Sequence, residues 1–340
     1  MGPDAVFGHM VRRMVRRCAG ATVRRSIVLV FVSVAMSTPA FAQIDLSGTY
    51  ASRMHEDWME RWPGPDVGDF TGLPLNDDGR ARAMSYSPSQ LSLPERQCLY
   101  YGPTYTVIGP FGAKIWSESD PVTGRIVSWN LSGAVDKTPR TIWMDGRPRP
   151  SAHDRHTFDG FSTGEWRGNT LVVFTTHMKA TTLRRNGVPT SDQATMVEYF
   201  ARHDDMLTIT AIIEDPAYLT EPHIISRSYQ FDPAVQIQVY PNPCNPVIEA
   251  PGLGPGSVPH FVPGANPFIG ELAKRYGLPV DVTLGGAETL YPEYRKKLQG
   301  QYMRPASCAR YCCGWGGGNT GTIGFGDVAA LVCTTREPAR

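Results

Sequence analysis

The sequence predicts an all-β fold: an antiparallel β-barrel or sandwich, lipocalin-like, with short helices near its C-terminal end. Three observations predict it. Runs of β-branched and aromatic residues recur between residues 98 and 232, among them "TYTVIGPFGAKIWSES", "GRIVSWN", "RTIWMDGR", "NTLVVFTTH", "ATMVEYFARH", "MLTITAIIE" and "HIISRSYQF". Gly, Pro, Asp or Asn bounds each run, as expected of antiparallel strands joined by short turns. Long helical periodicity is missing from the same stretch, which leaves a barrel or sandwich as the way to build a core.

Residues 1–42 read as an export signal: a basic stretch ending in Arg24 and Arg25, an apolar core "SIVLVFVSVAM", then small residues at "AFA" before Gln43. Ile27 to Met36 is shorter than the roughly 20 apolar residues a membrane span needs, so no stable membrane anchor is expected. Residues 43–97 open with a first strand at "DLSGTY" and continue irregularly, with a short helix near "DDGRARAMSY". Residues 98–232 form the β core. Residues 233–300 begin Pro- and Gly-rich, wrapping the surface. There "NPFIGELAKRYG" predicts a helix starting at Asn266-Pro267 and stopping at Gly277, and "YPEYRKKL" predicts another. Residues 301–340 gain Gly and Cys together with no strand or helix period, so a disordered tail is expected.

Charge and cysteine usage exclude several classes. Taking the six arginines and Asp4 of the signal from 33 basic and 32 acidic side chains leaves 27 and 31, a net charge of −4. Binding to nucleic acid by counterion release is not expected of such a chain. The four tail cysteines lack paired CxxC spacing and a nearby histidine, which speaks against zinc. Cys98 and Cys244 are the body cysteines; in an oxidising compartment they read as a disulfide, the alternative being two buried thiols.

Three constellations could carry chemistry. In "LVVFTTHMK" alternation puts Leu171, Val173, Thr175, His177 and Lys179 on one face, running from apolar to ionisable, as in a strand reaching a barrel mouth. Arg184, Arg185, Asn186, Gly187 and Asp192 follow within one connection. They form either a functional loop or a solvated turn, and His177 alone reads as a histidine at a core edge. The second is "IWMDGRPRPSAHDRHTFDGFSTGEW", with Arg147, His153 and His156. H-x-x-H suits a helix better than this Pro-flanked loop, so no metal is assigned. The third is Glu198. A two-residue turn at Asp204-Asp205 sets Glu198, Phe200 and Arg202 on one face with Leu207, Ile209, Ala211 and Ile213. A carboxyl among apolar neighbours serves as general acid or base, or else sits in a salt bridge to Arg202, Arg184 or Arg185. G-x-S-x-G, a glycine-rich phosphate loop and H-E-x-x-H are absent, which disfavours serine hydrolysis and nucleotide cofactors.

The segments "DLSGTY", "RTIWMDGRPRP", "GFSTGEWRGNTLVVFTTHMK", "RRNGVPTSD", "MVEYFARHDDMLTITAIIEDPAYLTEP" and "GGAETLYPEYRKKL" resemble a large, mostly uncharacterised family of exported bacterial β-proteins. The likeness runs from about residue 45 to 298. Thr176, His177, Lys179, Arg184, Arg185, Asn186, Gly187, Pro189, Ser191 and Asp192 fit the pattern of one branch. Relatives usually carry His where Arg149 stands, and many read G-H-S at Gly160-Phe161-Ser162, so a histidine role at either place does not transfer. They generally stop soon after "YPEYRKKL", which implies that residues 301–340 are an extension.

These readings predict an exported, cofactor-independent enzyme, a lyase such as a decarboxylase or dehydratase, acting on a small aromatic or polycyclic acid. His177 or Glu198 moves the proton, with Lys179 beside them as a catalytic cation. Arg184 or Arg185 with Lys179 holds the substrate carboxylate, since guanidinium forks suit planar anions. Asn186, Asp192 and Arg147 complete the polar lining, and Trp143, Trp166 and Tyr199 supply aromatic walls. The competing expectations are a periplasmic carrier for the same kind of ligand and a surface-interaction protein.

Overall fold

The computed structural model describes residues 44–53, 65–99, 101–107, 112–133, 139–237, 245–249 and 257–298. The expected export signal, Cys244 and the expected tail lie outside them. Nine strands close a barrel: β1 (Gly48–Ser52), β2 (Ala113–Ser119), β3 (Ile126–Gly133), β4 (Arg140–Trp143), β5 (Phe161–Arg167), β6 (Thr170–Thr176), β9 (Thr195–His203), β10 (Met206–Glu214) and β11 (His223–Phe231). Around the barrel the order is β1-β11-β10-β9-β6-β5-β4-β3-β2. A two-stranded ribbon, β7 (Thr181–Thr182) with β8 (Pro189–Thr190), is inserted between β6 and β9. The all-β barrel expected from the sequence is the fold.

Alternation decides what fills the barrel. Leu171, Val173, Met196, Phe200, Leu207, Ile209, Ala211, Ile213, Ile225 and Tyr229 are buried at every second position and join one hydrophobic cluster with Trp129, Leu131 and Ile142. Asp204-Asp205 forms the two-residue turn between β9 and β10, with His203 opposite Met206 and Asp204 at φ 49°. The register then runs Arg202 to Leu207, Phe200 to Ile209 and Glu198 to Ala211.

Two expectations about the strands are corrected. The strand read from "TYTVIGPFGAKIWSES" begins only at Ala113, because Pro103–Thr106 is a short helix started by Pro103. The barrel is not wholly antiparallel, since β4 pairs parallel with β5. Parallel neighbours need a long crossover, and residues 144–160 supply it along the outside of the barrel. There Arg147 lies 3.4 Å over the Trp143 ring and Arg149 lies 3.6 Å over Phe174.

The helices lie outside the barrel sheet. Asp77–Met84 is capped by Asn76, whose side chain accepts from the Gly79 amide at 2.9 Å. Glu271–Tyr276 ends on left-handed Gly277, as expected, but starts later than Asn266-Pro267. Asn266 does not cap it: its amide donates to the Met84 and Tyr86 carbonyls and its oxygen accepts from Phe268. Val280–Thr283 and Pro292–Lys297 follow. Among the described residues no helix is long and apolar enough to cross a membrane.

Candidate functional site

Inside the barrel, the inward face of β9 carries one carboxylate in an apolar row: Met196, Glu198, Phe200. Glu198 has Ala211 on one side and Val173 on the other, both fully buried. Its partner is Arg140, the first residue of β4, whose Nη2 lies 2.7 Å from Oε2. Both side chains are at most 5% exposed. The contact is an ion pair that misses hydrogen-bond alignment at Oε2. Burial pushes the Glu198 carboxyl above the usual carboxylate range, and the Arg140 charge opposes the rise. Near this pair the Ser162 and Thr175 hydroxyls, on β5 and β6, meet at 2.9 Å.

The inward face of β11 adds His223 and Arg227, alternating with Ile225 and Tyr229. His223 is held down to about 3 by burial and by the charges of Arg184 and Arg227, so it stays neutral near pH 7. Arg184 itself is buried. Two buried polar groups thus stand out, Arg140 with Glu198 and His223 with Arg184 and Arg227. Of these, the sequence reading named Glu198 and Arg184 as site residues; it took Arg140 and the β11 pair only as parts of strands.

The loop that looked like a mouth has another job. His177 leaves β6 with φ 56°, breaking the alternation, so Met178 turns into the core and His177 does not continue the inward row. That corrects the shared face assumed for Thr175, His177 and Lys179. Both ring nitrogens of His177 are engaged: Nε2 donates to the Ser151 carbonyl at 2.8 Å and Nδ1 faces the Thr176 hydroxyl at 2.8 Å. His156 donates Nδ1 to the Met178 carbonyl at 3.0 Å, with its ring 5.1 Å from that of His177. The Thr157 amide donates to His177 and the Lys179 amide to Thr157. These contacts clamp the outer crossover to the end of β6. Lys179 Nζ sits 4.8 Å from the Phe158 ring, also on that loop.

Residues of "RRNGVPTSD" diverge. Asn186 is buried and ties its amide to the Asp66 and Asp69 carbonyls, which anchors the segment after residue 64. Arg185 acts on Tyr86, which lies against Gly187. Asp192 is exposed. Arg147 is committed to Asp145, whose carboxyl it holds at about 2. Tyr199 lies on the outward face of β9, and Trp166 packs partly buried against the core. No group of three His, Cys, Asp or Glu among the described residues could hold a metal.

No protein-family model matches this chain, and neither a curated protein nor a solved structure does. The interior cluster therefore has to be read from its own chemistry. A cavity of about 390 Å³ lies elsewhere, lined by Asp66, Leu272, Tyr276, Val282, Leu290 and Tyr294. Two of its three threonines, Thr283 and Thr289, already bond to backbone, and Asp66 pairs with Arg275. The signal that could have revealed Arg227 and His223 is in "HIISRSYQF", where they alternate with Ile225 and Tyr229. Arg140 gave a fainter one, two residues before Ile142.

Proposed function

We propose that this chain is an exported, cofactor-independent lyase, a decarboxylase or dehydratase, acting on a small aromatic or polycyclic carboxylic acid inside the barrel. The observation that carries the reading is Glu198: a fully buried carboxyl, raised by desolvation, held by one guanidinium nitrogen. Such a group can take a proton from carbon and return it to a leaving hydroxyl, releasing water, or protonate the carbon that loses carbon dioxide. Neither route oxidises or reduces the substrate. The Arg140 guanidinium would, on this reading, partner the substrate's carboxylate. On this reading the chain belongs with the exported β-proteins its motifs resemble. The test is incubation of the purified mature chain with a panel of aromatic acids, followed by mass spectrometry. Loss of carbon dioxide or water that disappears in Glu198→Gln supports the lyase.

A second reading, a periplasmic carrier, is favoured by the two engaged nitrogens of His177 and by the closed Arg140–Glu198 pair. Binding that survives Glu198→Gln, with no turnover of any acid, would select it. We also infer a Cys98–Cys244 disulfide. Cys98 is disulfide-bonded, and Gln97 next to it exchanges two 2.7 Å hydrogen bonds with the backbone of Val247, three residues past Cys244. A non-reduced digest should yield the two cysteines in one cross-linked peptide.

A further inference from the structure

We propose that Arg140 and Trp129 together form a carboxylate-binding subsite on the inner wall of the barrel, where β3 meets β4. This deepens the lyase reading and rests on it for the identity of the acid, although binding can be tested alone.

Arg140 is 4% exposed, and Nη2 alone carries its contact to Glu198. Nε and Nη1 are buried and have no hydrogen-bond partner among the described residues. A guanidinium has one N–H on Nε and two on Nη1, so most of its donors are unmatched. Trp129 is 1% exposed, and its Nε1–H is likewise buried without a partner among the described residues. The β3–β4 register sets Leu131 opposite Arg140 and Trp129 opposite Ile142. Alternation therefore puts Trp129 and Arg140 on the same inward face as diagonal neighbours, a separation that long side chains bridge.

Both groups donate and neither accepts. Buried donors without partners are costly, and native proteins almost always satisfy them. What satisfies an arginine fork and an indole N–H at once is an acceptor with negative charge, and a planar carboxylate matches the planar guanidinium. Glu198 fits the same picture. Burial favours its protonated form, which would release the guanidinium to an incoming acid and leave Glu198 holding the proton to be transferred.

The test measures binding of formate and benzoate to the purified mature chain at constant ionic strength, by equilibrium dialysis and by Tm. Two variants separate the donors: Trp129→Phe removes only the indole N–H, and Arg140→Lys keeps a cation for Glu198 while removing the fork. Saturable binding to the wild type, weakened about tenfold or more in each folded variant, is the expected result. Neither carboxylate binding the wild type, or Trp129→Phe binding both as tightly as the wild type, would overturn the subsite. Saturable binding without turnover of any acid would remove the lyase and leave the subsite standing. Turnover unaffected by Trp129→Phe and Arg140→Lys would remove the subsite alone.

Discussion

Arg140 and Glu198 each depend on the other, because an unpaired charge inside an apolar barrel has no water to stabilise it. Removing one partner, by Arg140→Ala or Glu198→Ala, should cost about 3–5 kcal/mol in urea unfolding. Replacing both, as Arg140→Met with Glu198→Leu, should cost much less. Equal losses for single and double variants would show that the pair's volume, not its charge, is what the barrel requires. Gly187 is constrained differently. Its φ is 93°, and a Cβ there would run into the Cβ and ring of Tyr86. Gly187→Ala should therefore destabilise by more than about 1 kcal/mol, and Tyr86→Ala should relieve only the clash with the ring, because the Tyr86 Cβ remains. A Gly187→Ala protein as stable as the wild type would contradict that packing.

At the scale of elements, the parallel pairing of β4 and β5 forces the chain to cross the outside of the barrel between them. The crossover is held by stacked arginines and by the clamp at His177. Deleting that clamp with His177→Ala should speed hydrogen exchange at the Thr157 and Lys179 amides, which bond across it. Global stability should change by only about 1–2 kcal/mol, since two hydrogen bonds are lost and alanine keeps the same strained φ. If those two amides keep their protection, the crossover is held by Arg147 and Arg149 instead. The β9–β10 hairpin, by contrast, carries its own instruction: two strands of strict alternation about a two-residue turn leave one register that buries Ile209, Ala211 and Ile213.

For the whole molecule, the buried interior ties stability to pH. Unfolded His223 titrates near its usual value, about 6.5, whereas the folded ring is held to about 3. Between those values the unfolded chain binds a proton that the native chain does not. Stability therefore falls as pH drops through that window, by about 1.4 kcal/mol per pH unit for this one group, and is unaffected by it above pH 6.5. Glu198 acts with the opposite sign, because its raised folded value lets the native state take up its proton first as pH falls. Urea midpoints of wild type and His223→Gln between pH 7 and pH 4 should converge as pH falls. Parallel curves would mean that His223 titrates normally in the folded chain.

What was legible in the sequence was local. Period-two alternation marks β6, β9, β10 and β11, the Asp204-Asp205 turn fixes one register, and Glu198 shows itself as a carboxylate inside an apolar row. Those signals work because neighbouring residues on one strand share backbone geometry. What only the tertiary structure decided was company across the barrel. Arg140 reaches Glu198 over two intervening strands, His223 and Arg227 face Arg184 from a distant part of the chain, and one positive φ at His177 turns a supposed mouth into an outer clamp. Closure of the barrel brings these groups together, and the spacing of residues along a strand says nothing about which distant strand will lie opposite.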